Sequence, residues 1–399
     1  MNINNKINID LSSDNVKSKK RFISVIAIII VLLIVFSGIY IYNLRRDAEK
    51  KDCIKIGAIL SLTGDNALQG TLGRNGLLMA IDELNTAGGL NGKQVEVIIE
   101  DSQTSAKGTI NAFKKLQFAS ISAIIVTGDI EFQAINSISK GSSIPIMATC
   151  CTGMLDEGRN PLLFRYCISE EQEDIILANT IKERGIKKIT LAYPNNLWGK
   201  EVEKYTNKHL EKLNIELVSK IVYDINSANV RLLVAKALQS NPEGICVRGF
   251  GQSFESVLRS ISELGFTGLI FGDLTLKLPT TIKNAKESLK DGYIVSIDLD
   301  TDSKDPFIQN YVKKYIEKYN MQPCIWDALG YDSTVFLLKG IELSENNNTD
   351  ISDALKSIQS LKLLLGENRF NESNDVTFQM SVWKMKDGDF TPLQKTHID

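Results

Sequence analysis

The chain has 399 residues, a net charge of −2, and 43% hydrophobic and 24% charged residues. It is long enough for more than one packed domain, is of ordinary globular composition, and lacks the basic surplus of a protein whose partner is nucleic acid. Its two histidines, His209 and His397, leave no material for His-based acid–base catalysis or a multi-His metal site, although this says nothing about carboxylates or thiols.

Residues Met1–Ser18 are rich in Asn, Ser, Asp and Lys without apolar periodicity, so 1–21 is expected to be a disordered cytoplasmic tail. Lys19-Lys20-Arg21 then leads into an uncharged apolar run, Phe22–Tyr42. A helix of about 20 such residues spans a bilayer core, and Tyr40 and Tyr42 suit its interfacial belt. A buried core helix and a cleaved signal peptide are the rival readings. The run is long for a signal peptide and no small-x-small cleavage site follows. Cys53 follows Lys50-Lys51-Asp52, which are not the small apolar residues of a lipoprotein site. The segment is therefore expected to be an uncleaved anchor in contact with the lipid bilayer. Basic residues flank it on both sides, so the positive-inside rule does not orient it.

The six cysteines are Cys53, Cys150, Cys151, Cys167, Cys246 and Cys324. An even number outside the cytoplasm permits disulfides, but adjacent Cys150 and Cys151 cannot easily bridge each other. Most read as small buried apolar residues.

From Cys53 onward, strand and helix signals alternate. Ile54–Leu60 is a buried strand, and Ser61–Gly73 with its three glycines reads as a loop. A helix follows with Leu77, Leu78, Ile81 and Leu84 on one face, ended by Gly88-Gly89 and Asn91-Gly92. Gln94–Glu100 is a strand, Ser105–Phe118 a helix, Ala123–Val126 a strand, Glu131–Lys140 a helix and Ile144–Met147 a strand. The rhythm restarts with helix Glu170–Arg184, strand Lys188–Tyr193, helix Lys200–Leu213, strand Glu216–Tyr223 and helix Val230–Leu238. Strand Ile245–Val247, helix Phe254–Leu264 and strand Leu269–Phe271 complete it. Helices Pro306–Tyr319, Trp326–Leu343 and Ile351–Ser360 and strand-like pieces Asp375–Met380 and Ser381–Lys386 close the chain. Repeated βα units imply parallel, doubly wound sheets with helices on both faces.

The stretch Ile54–Asp101 closely resembles the start of the branched-chain amino-acid (Leu/Ile/Val-type) binding proteins. The resemblance rests on Leu62-Thr63-Gly64, the helix running into Asn85-Thr86-Ala87-Gly88-Gly89, then Asn91-Gly92, a strand and Asp101. Weaker echoes are Ile144-Pro145-Ile146, Trp198-Gly199, Phe271-Gly272-Asp273, Asp291-Gly292-Tyr293 and Tyr331-Asp332-Ser333. The resemblance covers the chain from Cys53 onward and not the anchor. It implies the type I periplasmic binding protein fold: α/β, two Rossmann-like lobes with parallel sheets joined by short hinge strands, here preceded by one transmembrane helix. The expected lobes are 53–168 with 298–372, and 169–297 with 373–399. The body is then expected on the extracytoplasmic side of the cell membrane, with an ABC permease as partner.

In open α/β sheets, ligands sit beyond the carboxyl ends of the strands. Those ends are Ser61–Gly70, Thr127–Ile130 and Ala148–Thr152 in the first set, and Pro194–Trp198, Arg248–Gln252 and Asp273–Thr275 in the second. Thr127, Gly128 and Asp129 start a helix and could receive an anion or simply cap it. The resemblance puts a serine in place of Gly128 and a ligand-carboxylate site at Thr149-Cys150-Cys151-Thr152. It puts an acid for a ligand ammonium at Asp273, and a ligand-covering aromatic at Leu68-Gln69. Gly128 and Asp129 depart from that pattern and turn the expectation away from a simple branched-chain amino acid. Trp198 and Phe250 could stack on an apolar or cationic solute or pack within a lobe. Arg248 could neutralise Asp129 or Asp273, or bind an anion. No nucleophile–His–acid set, P-loop or metal cluster is present, so neither enzyme nor cofactor is expected. The expected function is capture of a small polar solute, an amino acid or related compound, for an ABC importer. The alternative is a sensory receptor passing occupancy to a sensor kinase.

Overall fold

The computed structural model describes residues 32–40, 53–153, 159–225, 227, 229–297 and 299–396. The chain divides into two units, Met1–Cys53 and Ile54–Asp399. In the first, residues 32–40 are helical and Leu32, Leu33, Ile34, Val35 and Phe36 are exposed. No described helix is long and apolar enough to cross a membrane. The rest of the expected span, 22–31 and 41–42, and the expected tail lie outside the described residues.

The second unit contains two sheets. β1 (Ile54–Leu60), β2 (Val95–Asp101), β3 (Ala123–Thr127), β4 (Ile146–Thr149) and β5 (Leu163–Tyr166) form the first, in the order β2-β1-β3-β4-β5. Every pairing in it is parallel. The strands are short apolar runs because both faces are covered; β3, β4 and β5 are buried along their whole lengths. β5 had no counterpart in the sequence reading: it has four residues and follows directly on a proline-containing turn.

The second sheet has the order β14-β13-β10-β9-β8-β6-β7. β6 (Lys188–Pro194), β7 (Glu216–Tyr223), β8 (Gly244–Val247), β9 (Leu269–Gly272) and β10 (Gly292–Ser296) are mutually parallel. β13 (Met380–Lys386) and β14 (Asp389–Thr396) add an antiparallel edge. The sequence reading treated 375–386 as two strand-like pieces. The structure has one strand there, and its hairpin turns at Asp387 and Gly388, both at positive φ. Asp-Gly is the residue pair such a two-residue turn selects. The remaining pair, β11 (Leu361–Leu363) and β12 (Gly366–Asn368), is a small separate hairpin.

The helices that position the crevice residues are α1 (Ala67–Thr86), α2 (Ala106–Gln117), α3 (Asp129–Ile138), α4 (Glu170–Glu183) and α5 (Leu197–Lys212). They are followed by α6 (Arg231–Leu238), α7 (Gly251–Glu263), α8 (Pro279–Ala285), α9 (Pro306–Tyr319) and α10 (Ile325–Asn347). α1 begins six residues earlier than Gly73, where the sequence reading still had a loop. The glycines there serve close packing. A Cβ on Gly76 would overlap the Asp327 carbonyl, one on Gly330 the Gly73 carbonyl, and one on Gly70 the Ser61 carbonyl. Without side chains at these points, α1 and α10 cross backbone to backbone.

The chain leaves the first sheet after β5, enters α4, and builds the second sheet through β10. It then returns to place α9 and α10 against α1 before crossing back to β13. The last crossing runs beside β5: Arg165 and Asn374 are joined by a backbone hydrogen bond of 2.9 Å, and Val376 donates to the Arg165 carbonyl at 3.1 Å. Asp375 locks it, receiving the Arg165 guanidinium at 2.8 Å and that of Arg159 at 2.7 Å.

Candidate functional site

The carboxyl ends of the first sheet's strands carry Ser61, Thr127, Thr149 and the residues after them. Gly128 has φ +103° and precedes α3 without capping it through a side chain. Neither Thr127 nor Asp129 is the cap that the sequence allowed for: the cap position is Gly128 itself. A Cβ on Gly128 would collide with the second carboxyl oxygen of Glu131, which explains the absence of a larger residue. Glu131 is completely buried, and its Oε1 accepts from Ser61 Oγ at 2.8 Å and Ser102 Oγ at 2.6 Å. Burial pushes its pKa up. Sequence reasoning does not single out Glu131, because it lies in the first turn of α3 and reads there as an ordinary helix-start acid. Thr127 Oγ1 is buried without a hydrogen-bond partner among the described residues.

Asp129 lies between the strand ends. Its Oδ1 accepts from the Gly153 N–H at 2.7 Å, and the Thr152 backbone adds a second bond. Burial raises its pKa to about 6, against those backbone donors and with help from the charges of Glu170 and Glu131. Cys150 holds a left-handed φ of +53°, and its carbonyl accepts from Gln69 Nε2 at 3.3 Å. Leu68 beside it is 72% exposed. All six cysteines are free thiols. Burial pushes the Cys150 and Cys151 thiols well above the ordinary range. Among the described residues no cluster of His, Cys, Asp or Glu could hold a metal ion.

The second sheet's strand ends carry a different arrangement. Arg248, just after β8, is fully buried and does not reach Asp129. Its guanidinium meets four carboxylates: Glu170 at 2.8 Å, Glu173 at 2.5 Å, Asp174 at 2.9 Å and Asp273 at 2.7 Å. Three of these lie on α4, Glu170 and Glu173 in its first turn, where a helix N-terminus favours negative charge. The fourth follows β9. Burial raises the pKa of Asp174 to about 7 despite Arg248, and that of Glu173 also goes up. Asp174 also accepts from Thr206 Oγ1 at 3.0 Å. Asp273, expected as an open acid for a ligand ammonium, is instead bound by Arg248 and caps the 3-10 turn Leu274–Lys277 through the Thr275 N–H. The i, i+3, i+4 spacing of Glu170, Glu173 and Asp174 is legible in the sequence as one helix face, although nothing there ties it to Arg248.

Trp198 and Phe250 come together, with ring centroids 5.8 Å apart. Trp198 is in the first turn of α5 and Phe250 at the N-cap of α7; both are half-buried. The Trp198 indole N–H donates to Glu170 at 2.5 Å, which couples the aromatic pair to the buried charge cluster.

The two sets of strand ends face each other. The place where a Cβ would stand on Gly153, after β4, is 3.0 Å from Asp129 Oδ1 and 3.0 Å from Glu201 Oε2 of α5. The two carboxylates are therefore no farther apart than twice that distance, across a single backbone segment. Thr127, Gly128, Asp129, Cys150 and Cys151 lie on one wall, and Trp198, Phe250 and Asp273 on the other. Arg248 lies behind the second wall and not at its surface. A cavity of about 680 Å³ flanks this crevice, lined from both sheets' units by Leu274, Leu299 and Ile325 among others. It is a size that holds small molecules.

Comparison with known proteins agrees with this architecture. The family described as "Periplasmic binding protein" matches residues 53–389. The Leu/Ile/Val-binding protein homolog 1 of Brucella melitensis is 21% identical over 354 residues, covering 86% of this chain and 94% of its own. The branched-chain amino acid transporter substrate-binding protein LivJ of Streptococcus pneumoniae, solved with isoleucine, superimposes with a TM-score of 0.73. It is 20% identical and covers 87% of this chain and 99% of its own. A solute-binding protein of an ABC transporter from Rhodopseudomonas palustris, solved with 3,4-dihydroxybenzoic acid, has a TM-score of 0.74. It is 15% identical and covers 87% of this chain and 98% of its own. With one parallel and one largely parallel sheet, and a family match from Cys53 almost to the C-terminus, the chain belongs to the periplasmic binding protein family.

Proposed function

We propose that the crevice captures a small polar solute, an amino acid or related compound, and that the protein hands it to an ABC importer. The observation that carries this reading is the approach of the two walls at Gly153, where Asp129 of one and Glu201 of the other converge. Hinge closure of that kind traps a solute between lobes. The lobes proposed are 53–168 with 298–372, and 169–297 with 373–399. Phe22–Tyr42 is proposed as a membrane anchor that keeps the body on the extracytoplasmic side.

The charges on the walls refine the solute. The Thr152 and Gly153 backbone donors are taken by Asp129, and Asp273 is taken by Arg248. A zwitterion finds neither of its charged groups an open partner at these points. The reading therefore favours a neutral or cationic relative of an amino acid, such as an amide or amine, with Trp198 and Phe250 against its apolar or cationic part. Relatives solved with isoleucine and with a dihydroxybenzoic acid support the view that the fold tolerates different solutes. Calorimetric titration of the full chain with amino acids, their amides, polyamines and aromatic acids tests this. One of the amides or amines should bind saturably at one site and more tightly than its parent acid. A panel without any binder removes the proposal.

A further inference from the structure

We infer that another cavity, at the end of the first sheet opposite the crevice, is a binding site for a neutral polyhydroxy ligand, a pyranose monosaccharide. Ser122, Pro145 and Leu162 stand immediately before β3, β4 and β5, whereas the crevice residues Thr127 and Cys150 lie at or beyond the carboxyl ends of β3 and β4. The length of β3, about 15 Å of extended chain, keeps the two places apart. The site therefore stands whichever solute the crevice takes. The cavity of about 380 Å³ is completed by Ser344 near the end of α10 and by the turn into α11 (Ile351–Ser357).

The chemistry of the lining selects the ligand. Pro145, Leu162 and Ile351 supply a small apolar surface. With it come the hydroxyls of Ser122, Ser143, Thr349 and Ser352 and the carboxylate of Asp350. None of these five side chains makes a hydrogen bond or ion pair among the described residues. Ser344, by contrast, is satisfied: its Oγ donates to the Thr349 carbonyl at 2.5 Å. Ser352 is 9% exposed, so its hydroxyl is costly to leave unpaired unless an occupant of the cavity meets it. Asp350 is the N-cap residue of α11 but does not bond that helix through its side chain, which leaves its oxygens open as acceptors. No lysine, arginine or histidine lines the cavity, and the carboxylate of Asp350 disfavours an anion. A cation would use that carboxylate and leave the hydroxyl donors unmatched. A wholly apolar molecule would set carbon against every one of these polar groups. A sugar ring matches both parts of the lining. Its C–H face lies on Pro145, Leu162 and Ile351, its hydroxyls exchange hydrogen bonds with the serines and Thr349, and one of them donates to Asp350 in a charge-assisted bond. The volume is at the small end for ligand pockets and suits a single ring.

The test is a saturation-transfer NMR titration of the full chain with glucose, galactose, mannose and N-acetylglucosamine. At least one is expected to saturate a single site with a Kd of roughly 1 mM, the scale that a ligand of this size allows. Asp350→Asn keeps the shape and removes the charge; it is expected to weaken that binding about tenfold or more while moving the thermal midpoint by no more than about 1 °C. Ser352→Ala is expected to weaken it about threefold or more. Trp198→Ala, on the crevice wall, is expected to leave it as it is. No saturable binding by any of the four sugars, undiminished binding in Asp350→Asn, or loss in Trp198→Ala would each overturn the site, the last by placing the sugar in the crevice.

Discussion

Arg248 brings one positive charge into a space shared by four carboxylates, all of them buried. Coulomb attraction offsets the loss of hydration only while the pairing is complete. Arg248→Met leaves those carboxylates facing one another and is expected to destabilise the body by about 3–5 kcal/mol, read from the urea midpoint. A midpoint within error of wild type would show that the cluster carries no weight. The surplus of acid also sets a pH dependence. Asp174 and Asp332 are raised to about 7 and Asp129 to about 6, in each case mainly by burial. The folded state holds protons there that the unfolded chain releases near pH 4. Their contribution to stability is complete below pH 4 and is lost as pH rises through 6 to 7. His209, whose pKa burial lowers, opposes this below its ordinary value. The thermal midpoint should therefore fall by a few degrees between about pH 6 and pH 8, and Asp174→Asn should flatten the fall. A midpoint that rises over that interval contradicts the assignment.

At the scale of elements, the crossing of α1 and α10 depends on glycine. Gly76→Ala puts a methyl into the Asp327 carbonyl and is expected to cost about 1–3 kcal/mol. Gly141→Ala, which meets nothing within 4 Å, should be close to neutral. Equal effects would mean that the helices are not in backbone contact. The same glycines show where sequence reading stops. Gly64, Gly70 and Gly73 look like a loop, but Gly70 and Gly73 are helical: Gly70 packs on the Ser61 carbonyl, and the partner of Gly73 is Gly330 of α10, more than 250 residues away. The apolar runs of β1 and β3 were legible because burial on both faces leaves a signature in composition. β5 and the pairing of β13 with β10 were not, since a four-residue strand carries little signal and β13 finds its partner more than 80 residues back in the chain. The strand ends that precede Thr127, Asp129, Cys150 and Asp273 were legible as such. Arg248's partners were not: a residue at the end of a strand does not announce a helix face 74 to 78 residues before it.

At the scale of the whole molecule, the proposed function is closure on a solute. The two sheets are joined by three crossings, one of them fixed to β5 by the Arg165–Asp375 pair. In that proposal the motion is concentrated in the crossings, with the sheets moving as rigid bodies. The central claim is that a solute draws the two walls together. Small-angle X-ray scattering of the full chain, with and without a millimolar pool of amino acids, amides, amines and aromatic acids, tests it directly. The account predicts a smaller radius of gyration with the pool than without it; a radius of gyration that the pool leaves unchanged would contradict it.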